Sequence, residues 1–309
     1  MTPRLLVIVG PTAAGKTSLA CDLAARLSAE IVSADSQQCY RGLDAATAKP
    51  TAAERAVAPH HLIDIADPEE QLDAAHFVEL ADAAIADIAR RGKRAIIVGG
   101  TGLWIRALLR GLVAAPGASA EFREQIRGEL QRDGVAALHA RLAVVDPDAA
   151  RVIRPNDRVR VERALEVYAL SGRRLSDLQR EHAFSEQRYP AVVVHLDPPR
   201  ELLQERIARR TRALFDSGAL ERETRWLLHR CERIPQARKA LKIIGYGEMA
   251  AMLAGRWSPA QAEERVAART RQYAKRQRTW FRKEYGPAPE WPPDAARLCA
   301  EAARWYEGA

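Results

Sequence analysis

Eight residues near the start of the chain constrain its fold most: Gly10, Pro11, Thr12, Ala13, Ala14, Gly15, Lys16 and Thr17. They complete the G-x-x-x-x-G-K-[ST] spacing, follow the apolar run 5–9 and precede a helical pattern that begins near Ser18. In this motif, which we call the P-loop, backbone N–H groups and a helix N-terminus face an anion. The lysine reaches the outer phosphates, and the Thr17 hydroxyl suits a phosphate-bound Mg²⁺. The motif does not decide between ATP and another diphosphate.

The bulk composition indicates a folded, water-soluble protein. The chain has 309 residues, of which 47% are hydrophobic and 28% charged. We find no apolar stretch of membrane-spanning length, and the first strand begins too early to leave room for a signal peptide. The four cysteines are scattered without a C-x-x-C pair, which argues against a zinc site or a disulfide framework. We therefore expect a protein of the reducing cytoplasm.

The net charge of +8 is concentrated in the last third of the chain. Residues 1–110 carry 12 basic and 13 acidic side chains, and residues 111–195 carry 13 and 12. Residues 196–309 carry 23 basic and 15 acidic side chains, so this part holds the whole excess. A localised basic region favours an anionic macromolecular partner, with nucleic acid first.

Strands that alternate with helices predict a parallel α/β sheet. Further strands are expected at 30–33, 61–65, 94–98 and 191–196, an amphipathic helix at 74–91, and a loop at 41–59. Asp35 and the Gly99–Gly102 turn each follow a strand, and the carboxyl ends of such strands form ligand sites. Asp35 could instead cap a helix or turn. We interpret Thr101 as a donor to a ligand oxygen, because its strand ends in Gly-Gly-Thr and lacks an acidic residue.

The alternation of strands and helices stops between about residues 116 and 189. Helices are predicted at 120–133, 135–144, 147–153 and 157–170. The predicted fold is α/β: a P-loop NTPase-like parallel sheet flanked by helices, with an all-helical insertion domain. Residues 1–115 and 190–309 would form the core and 116–189 the insertion. Taken alone, the arginine-rich helix at 157–164 is typical of a solvated face.

Two helices carry the basic residues of the last third. Asp197-Pro198 is expected to cap the first, which ends at Gly218; its Arg206 and Arg210 could form a lid over phosphates or a surface stripe. The second should begin at a Ser258 cap and run to about Tyr285. It has eight basic and no acidic residues between Arg265 and Lys283.

The spacing along this second helix separates a charged from an apolar face. Arg271, Lys275, Arg278 and Arg282 form one narrow ridge, which we expect to be unpaired. The packed face should contain Val266, Ala267, Tyr273, Ala274, Trp280 and Phe281. An unpaired cationic ridge of this density favours contact with a nucleic-acid backbone.

Several stretches together resemble the tRNA dimethylallyltransferases, also called tRNA isopentenyltransferases. The matching pieces are the P-loop and residues 33–42, 47–50, 60–64, 99–103, 163–168, 244–246 and 274–281. The P-loop is generic, whereas the Ala34-Asp35-Ser36 and Lys275–Phe281 pieces are far more specific. The pieces occur in the family's order and span nearly the whole chain.

The resemblance implies a reaction and a role for each matching residue. The family transfers a dimethylallyl group from dimethylallyl diphosphate to N6 of the adenosine 3′ of a tRNA anticodon, without consuming ATP. The residue matching Asp35 is then the base, the one matching Thr101 binds the diphosphate oxygen at the breaking bond, and Thr12 to Thr17 hold the diphosphate with Mg²⁺. The insertion would grip the anticodon arm. The tRNA contacts that it implies are Asp35, Ser36, Gln37, Gln38, Thr101, Arg123, Val159, Arg160, Val161, Glu162, Arg163, Ala240, Leu241, Lys242, Ile243, Ile244, Gly245, Tyr273, Ala274, Lys275, Arg276, Gln277, Arg278, Thr279 and Trp280.

Some positions depart from the family pattern, and other functions compete. Gln37, Cys39, Trp104 and Gly247 stand where relatives often carry Met, Val, Tyr and Arg. Gln37 could change how the flipped base is held. The alternatives are a prenyltransferase of free adenine nucleotides, a small-molecule P-loop kinase and a non-catalytic RNA-binding protein. The insertion and the basic helix favour tRNA, and we expect a monomer with no membrane partner.

Overall fold

The computed structural model describes residues 2–117, 119–289 and 291–308. The chain divides into two compact units. The core unit comprises Met1–Leu109 and Arg188–Ala309, and the insertion unit comprises Arg110–Gln187. In the described ranges, no helix is long and apolar enough to cross a membrane.

The core unit is built on a five-stranded parallel sheet. Its strands are β1 (Leu5–Val9), β2 (Ala29–Ser33), β3 (His60–His61), β4 (Arg94–Gly99) and β5 (Ala191–His195). Their order is β3-β2-β4-β1-β5, and every pairing is parallel. β1 is buried along its whole length, as expected for an apolar strand that is covered on both faces. The predicted fold class, a parallel sheet flanked by helices with a helical insertion, is confirmed.

Helices connect the strands and continue beyond the sheet. The core unit contains α1 (Lys16–Leu27), α2 (Ala52–Val57), α3 (Ala74–Arg90) and α4 (Gly102–Arg110), which ends at the unit boundary. The insertion unit contains α5 (Ala120–Val145), α6 (Pro147–Val152), α7 (Arg158–Ser171) and α8 (Leu175–His182). The core unit resumes with α9 (Arg200–Asp216), α10 (Ala219–Arg233), a 3₁₀ helix (Pro235–Lys242), α11 (Tyr246–Leu253), α12 (Pro259–Tyr285) and α13 (Ala295–Glu307).

Two apolar clusters cover the faces of the sheet. One packs α3, α4 and Phe281 of α12 against β1, β2 and β4. The other packs α1 and α13 on the opposite face. The Tyr306 hydroxyl of α13 accepts a hydrogen bond from Leu6 N (3.1 Å) and donates one to Ala95 O (2.7 Å). Tyr306 therefore connects α13 to the neighbouring strands β1 and β4 by hydrogen bonds.

The long helix α12 has the predicted limits. Ser258 caps it in a reciprocal capping box with Gln261, and Pro259 occupies the first turn. Its buried residues are Ala262, Val266, Ala267, Ala274, Gln277 and Phe281. Tyr273 and Trp280 are only half-buried. The packed face thus contains a glutamine that the apolar spacing did not predict.

Three local expectations fail, and for Asp197 partners that are distant in the sequence decide the outcome. The 41–59 segment contains the short helix α2, and the expected strand at 61–65 is reduced to β3. Asp197 does not cap α9, whose N-cap is Pro199 without a side-chain hydrogen bond. The Asp197 carboxylate, 3% exposed, instead pairs with Arg278 and Arg282. These two ion pairs with α12 replace the capping role that the sequence predicted for Asp197.

The insertion unit is helical and contains no strand among its described residues. Gly134, with φ of 76°, interrupts α5 where the sequence predicts two separate helices, and α8 was not predicted. Its apolar core includes Ile126, Leu142, Val161 and Leu165. Glu166 is buried beside this core and accepts hydrogen bonds from Ser119 N, Arg123 and Arg163.

Candidate active site

A cleft of about 1400 Å³ opens at the carboxyl ends of the strands in the core unit. One side of it is the P-loop from Thr12 to Thr17, and the residues after β2, Asp35 to Gln38, form another. Later segments contribute Arg206, Arg210, Lys242, Ile243, Ile244, Tyr273, Arg276, Gln277 and Trp291. The cleft therefore combines most of the predicted phosphate site with the predicted catalytic carboxylate.

The P-loop depends on glycine at two positions. Gly10 has φ of 152° and Gly15 has φ of 91°, and residues with a Cβ rarely adopt such positive values. A Cβ at Gly10 would also lie 2.4 Å from Leu196 O. The loop follows β1 directly, and its last two residues, Lys16 and Thr17, are the first two residues of α1. The free N–H groups of this helix N-terminus therefore point toward the loop.

Lys16 places a half-buried ammonium group in the cleft. Its Nζ donates to Gly10 O (3.0 Å) and Pro11 O (2.8 Å). Burial lowers the pKa of Lys16 to about 8, although the nearby Asp35 carboxylate partly opposes this shift. An anionic ligand would stabilise the charged form of Lys16, because a nearby opposite charge offsets the desolvation that lowers its pKa.

Arg206 and Arg210 both reach the P-loop from α9. Arg206 Nη1 lies 3.5 Å from Ala13 O and 3.4 Å from Ala14 O, and its guanidinium lies over the Trp291 ring. Arg210 donates to Thr12 Oγ1 (3.2 Å) and Ala46 O (3.0 Å). Burial lowers the pKa of Arg210. The two arginines are therefore part of the cleft, which favours the lid over the surface stripe.

Asp35 lies at the end of β2, half-buried and lining the cleft. Its Oδ1 accepts a hydrogen bond from Gln37 N at 2.9 Å, which orients the carboxylate. Thr101 Oγ1 accepts from Ser36 N (2.9 Å) and lies 3.3 Å from Ser36 Oγ. Thr101 thus braces the Asp35 loop and is not among the residues that line the cleft. Its contact with a ligand stays a prediction.

A buried lysine that the sequence analysis did not single out holds the loop beyond Asp35. Lys49 Nζ donates to three oxygens, each 2.5 Å away. They are the backbone carbonyl oxygen of Tyr40 and one carboxylate oxygen each of Asp44 and Asp64. Gln38 donates to Ala48 O (2.9 Å) and accepts from Ser33 Oγ (3.2 Å). The Gln38 amide is thus engaged within the protein. The sequence offers one sign of these contacts: Lys49-Pro50 lies in the 47–50 piece that resembles the family.

Gln277 joins three elements of the site. Its side chain bonds to the P-loop residue Thr12 and to Gly100 at the end of β4. On the same helix Tyr273 lines the cleft, and the Arg276 guanidinium lies 5.7 Å from the centre of its ring. Burial raises the pKa of Tyr273 far above its ordinary value. The family resemblance places Gln277 among the tRNA contacts, and the helix periodicity did not reveal that this amide is buried.

The cationic ridge of α12 is not unpaired as the sequence predicted. Arg271 pairs with Glu264, while Arg278 and Arg282 pair with Asp197 at 2.5 and 2.7 Å. Lys275 is exposed and has no ion pair within the described part of the chain. The expectation is wrong because acidic residues outside the 265–283 window reach the ridge.

The remaining predicted RNA contacts differ in exposure. In the insertion unit Val159 is 75% exposed, whereas Val161 is fully buried. Arg160 and Glu162 pair with Asp157 and Arg158. In the core unit the side chains of Ala240 and Ala274 are buried, and Leu241, Gly245, Lys275, Arg278, Thr279 and Trp280 do not line the cleft. Contact of these residues with RNA stays a prediction.

The donor set fits a hard cation that is held mainly by phosphate. Within the residues that the structure describes, no group of three or more His, Cys, Asp or Glu could hold a metal ion. Thr17 lines the cleft, as does Asp35, so hydroxyl and carboxylate oxygens are present. Mg²⁺ prefers oxygen ligands and commonly binds through one or two protein groups together with substrate phosphates.

The fold and cleft define the class first: a P-loop-like α/β protein with its ligand site at the strand ends. The IPP transferase family model matches residues 38–284. A tRNA dimethylallyltransferase of Anaeromyxobacter dehalogenans is 56% identical, with 94% of this chain and 97% of that protein covered. One of Geobacter metallireducens is 49% identical over 91% of this chain and 90% of that protein.

Solved structures agree with these relatives. A tRNA isopentenylpyrophosphate transferase of Staphylococcus epidermidis is 36% identical, with a TM-score of 0.68 and 99% of both chains covered. A eukaryotic dimethylallyltransferase acting on tRNA is 27% identical, with a TM-score of 0.84, covering 99% of this chain and 80% of that one. This chain belongs to the tRNA dimethylallyltransferase family.

Proposed function

We propose that this chain transfers a dimethylallyl group from dimethylallyl diphosphate to N6 of the adenosine at position 37 of tRNAs, 3′ of the anticodon. The products are N6-isopentenyladenosine and diphosphate, and ATP is not consumed. The observation that carries the proposal is the single cleft lined by both the P-loop and Asp35. The cations for a diphosphate and the base for an amine therefore face one space.

The cations of the cleft would bind the diphosphate and stabilise it as a leaving group. Lys16 and Arg210 are half-buried, and Arg206 reaches the P-loop beside them. As the bond between C1 of the prenyl group and its oxygen breaks, negative charge grows on the diphosphate. Preorganised cations in a water-poor site stabilise such charge more than water does.

Asp35 would accept the proton that the adenine amine loses. N6 attacks C1 while the diphosphate leaves, so one N–C bond forms and one C–O bond breaks. The proton from N6 passes to the Asp35 carboxylate, which the Gln37 N–H holds in place. Thr101 would hydrogen-bond the departing oxygen, replacing its long contact with Ser36 Oγ.

A bound Mg²⁺ would neutralise part of the diphosphate charge. Thr17 is the residue of this chain that would hold it, as P-loop threonines do. Lys16, Arg206 and Arg210 would bind the same phosphates and neutralise more of their charge.

The target adenosine must leave its stack to reach the cleft. Tyr273 and Arg276 line the cleft, as do Lys242, Ile243 and Ile244, and they would receive the flipped base and its neighbours. The exposed cations of α12 would contact the phosphate backbone. In the insertion unit Arg123 and residues 159–163 would grip the anticodon arm. We propose a monomer that acts in the cytoplasm.

A two-substrate transfer assay tests the reaction. Purified protein, Mg²⁺ and labelled dimethylallyl diphosphate are offered unmodified tRNA or AMP, with and without ATP. Label should enter tRNA equally well without ATP. Label that enters only AMP would identify a nucleotide prenyltransferase, and ATP consumption without prenyl transfer would indicate a kinase.

Replacing the base tests the role of Asp35. Asp35→Ala should lower kcat by about two to four orders of magnitude, since general-base catalysis contributes that much. The affinity for tRNA should change far less. Asp22→Ala is the matched control, because Asp22 also lines the cleft but pairs with Arg26 at the surface. Near-normal turnover of Asp35→Ala would contradict the assignment.

A further inference from the structure

The Gln277 side chain is a buried connector between elements that are far apart in the sequence. It is 6% exposed. Its Oε1 accepts a hydrogen bond from Thr12 N at 2.8 Å, and its Nε2 donates one to Gly100 O at 3.0 Å. Both ends of the amide are therefore used, and both partners are backbone groups. Thr12 N–H of the P-loop is committed to Gln277.

The turn after β4 leaves room for this amide. A Cβ on Gly100 would lie 2.2 Å from Gln277 Nε2, far inside contact distance. Gly100 has no positive φ, so glycine is not needed there for its backbone conformation. The close approach of the Gln277 amide explains the residue at position 100, and this fit indicates a specific contact.

The helix that carries Gln277 also forms part of the cleft. Tyr273 and Arg276 lie within one turn of Gln277 and line the cleft. Phe281, one turn further, is fully buried in the cluster that includes β1. A small displacement of α12 would therefore move the Gln277 amide against Thr12. The P-loop geometry and the position of α12 are linked through this side chain.

We propose that Gln277 is a positioning residue: it holds the start of the P-loop in its anion-binding shape and couples diphosphate binding to RNA binding on α12. The coupling rests on the proposed function, because it requires RNA to contact this helix. The geometric part does not, since it concerns only the P-loop. Linkage demands that any such coupling be reciprocal between the two ligands.

Calorimetry with inorganic pyrophosphate and Mg²⁺ tests the geometric part without turnover. Gln277→Leu has similar size but no polar atoms, so it leaves Thr12 N and Gly100 O unpaired. It should bind pyrophosphate about tenfold more weakly or worse, as expected for two lost buried hydrogen bonds. Gln272→Leu is the control, since Gln272 is exposed on the same helix, and it should bind like the wild type.

A charge-switch variant separates hydrogen bonding from packing. In Gln277→Glu the protonated carboxyl can both donate and accept, whereas the carboxylate can only accept. Burial favours the protonated form at low pH. Relative to the wild type, this variant should bind within about threefold at pH 5.5 and at least tenfold more weakly at pH 8. Gln272→Glu should parallel the wild type at both pH values.

Titrations with a synthetic anticodon stem-loop RNA test the coupling. Saturating RNA should tighten pyrophosphate binding to the wild type, and this gain should disappear in Gln277→Leu. Wild-type affinity in Gln277→Leu, with Gln277→Glu independent of pH, would overturn the role of Gln277. A coupling that survives in Gln277→Leu would overturn the link. Failure of the wild type to bind pyrophosphate would overturn the proposed function itself.

Discussion

Two glycine-rich turns follow neighbouring strands of the same sheet, and they use glycine for different reasons. In the P-loop, Gly10 and Gly15 have positive φ, so the conformation itself selects glycine. In the turn after β4, Gly99 and Gly100 do not have positive φ. A Cβ at Gly99 would instead lie 2.1 Å from Ala34 O, and one at Gly100 would meet the Gln277 amide.

The difference separates a loop that shapes a ligand site from a turn that supports it. Thr12 to Thr17 of the P-loop line the cleft, and so does Gly99 at the end of β4. Gly100 and Thr101 do not line it, and they form hydrogen bonds with Gln277 and Ser36. From sequence, both turns are predicted to contact the ligand. Strand-end position predicts that a turn is near a site, but it does not tell which groups remain free for the ligand.

The largest expected effect comes from Gly99→Ala in the supporting turn. The new methyl would overlap the backbone of β2's end, which cannot move independently. We expect a loss of about 3 kcal/mol in the free energy of unfolding, at the upper end for overpacking. Urea denaturation of the purified variant measures it.

Gly92→Ala is the control for this substitution. Gly92 has φ of 67° but nothing within 4 Å of its added Cβ. It should lose only about 1 kcal/mol, from backbone strain. If both variants lost the same free energy of unfolding, steric overlap with Ala34 would not explain why position 99 is a glycine.

The second prediction concerns how pyrophosphate binding at the P-loop depends on pH. Because the pKa of Lys16 is lowered to about 8, its charge is lost as the pH rises through that value. A bound anion keeps Lys16 protonated, so pyrophosphate affinity should fall up to about tenfold per pH unit above 8.

Calorimetry between pH 7 and 9.5 measures this fall. Lys16→Met should bind weakly and lose the pH dependence, whereas the exposed Lys275→Met should keep it. A fall that persists in Lys16→Met would assign the titration to another group.

The smallest effect concerns α12, which supports both turns. Asp197 forms ion pairs with both Arg278 and Arg282. Asp197→Asn should free these cations and steepen the salt dependence of tRNA binding by between one and two units of slope, about threefold in affinity per doubling of salt. Filter binding at several salt concentrations measures it. Glu201→Gln, an exposed acid near the start of α9, is the control and should leave the slope unchanged.

Local sequence signals predicted the parts of the site that are built from neighbouring residues. The P-loop, Asp35 at the end of β2 and the limits of α12 each depend on a spacing or a cap within a few residues. The apolar strands and the absence of strand patterns in the insertion predicted the fold class. These features need no knowledge of distant partners.

The missed features depend on partners that are remote in sequence. Gln277 meets Thr12, Asp197 meets Arg282, and Glu223 accepts hydrogen bonds from Asp44 N and Ala45 N. Periodicity assigns a residue to a helix face but does not identify what packs there. Asp197 could be read as a cap, because caps are common and its guanidinium partners lie on another helix.

The central position of β1 has a consequence for how the protein forms during synthesis. β1 is translated first, yet it lies between β4 and β5, and Leu6 is bonded to Tyr306 of α13. A nascent chain on the ribosome can pair β1 with β4 early but must wait for the whole insertion before β5 emerges. Late closure of such non-local contacts is slow and leaves one edge of an apolar strand open. The P-loop, which follows β1, is therefore translated well before α9, whose Arg206 and Arg210 complete this side of the cleft.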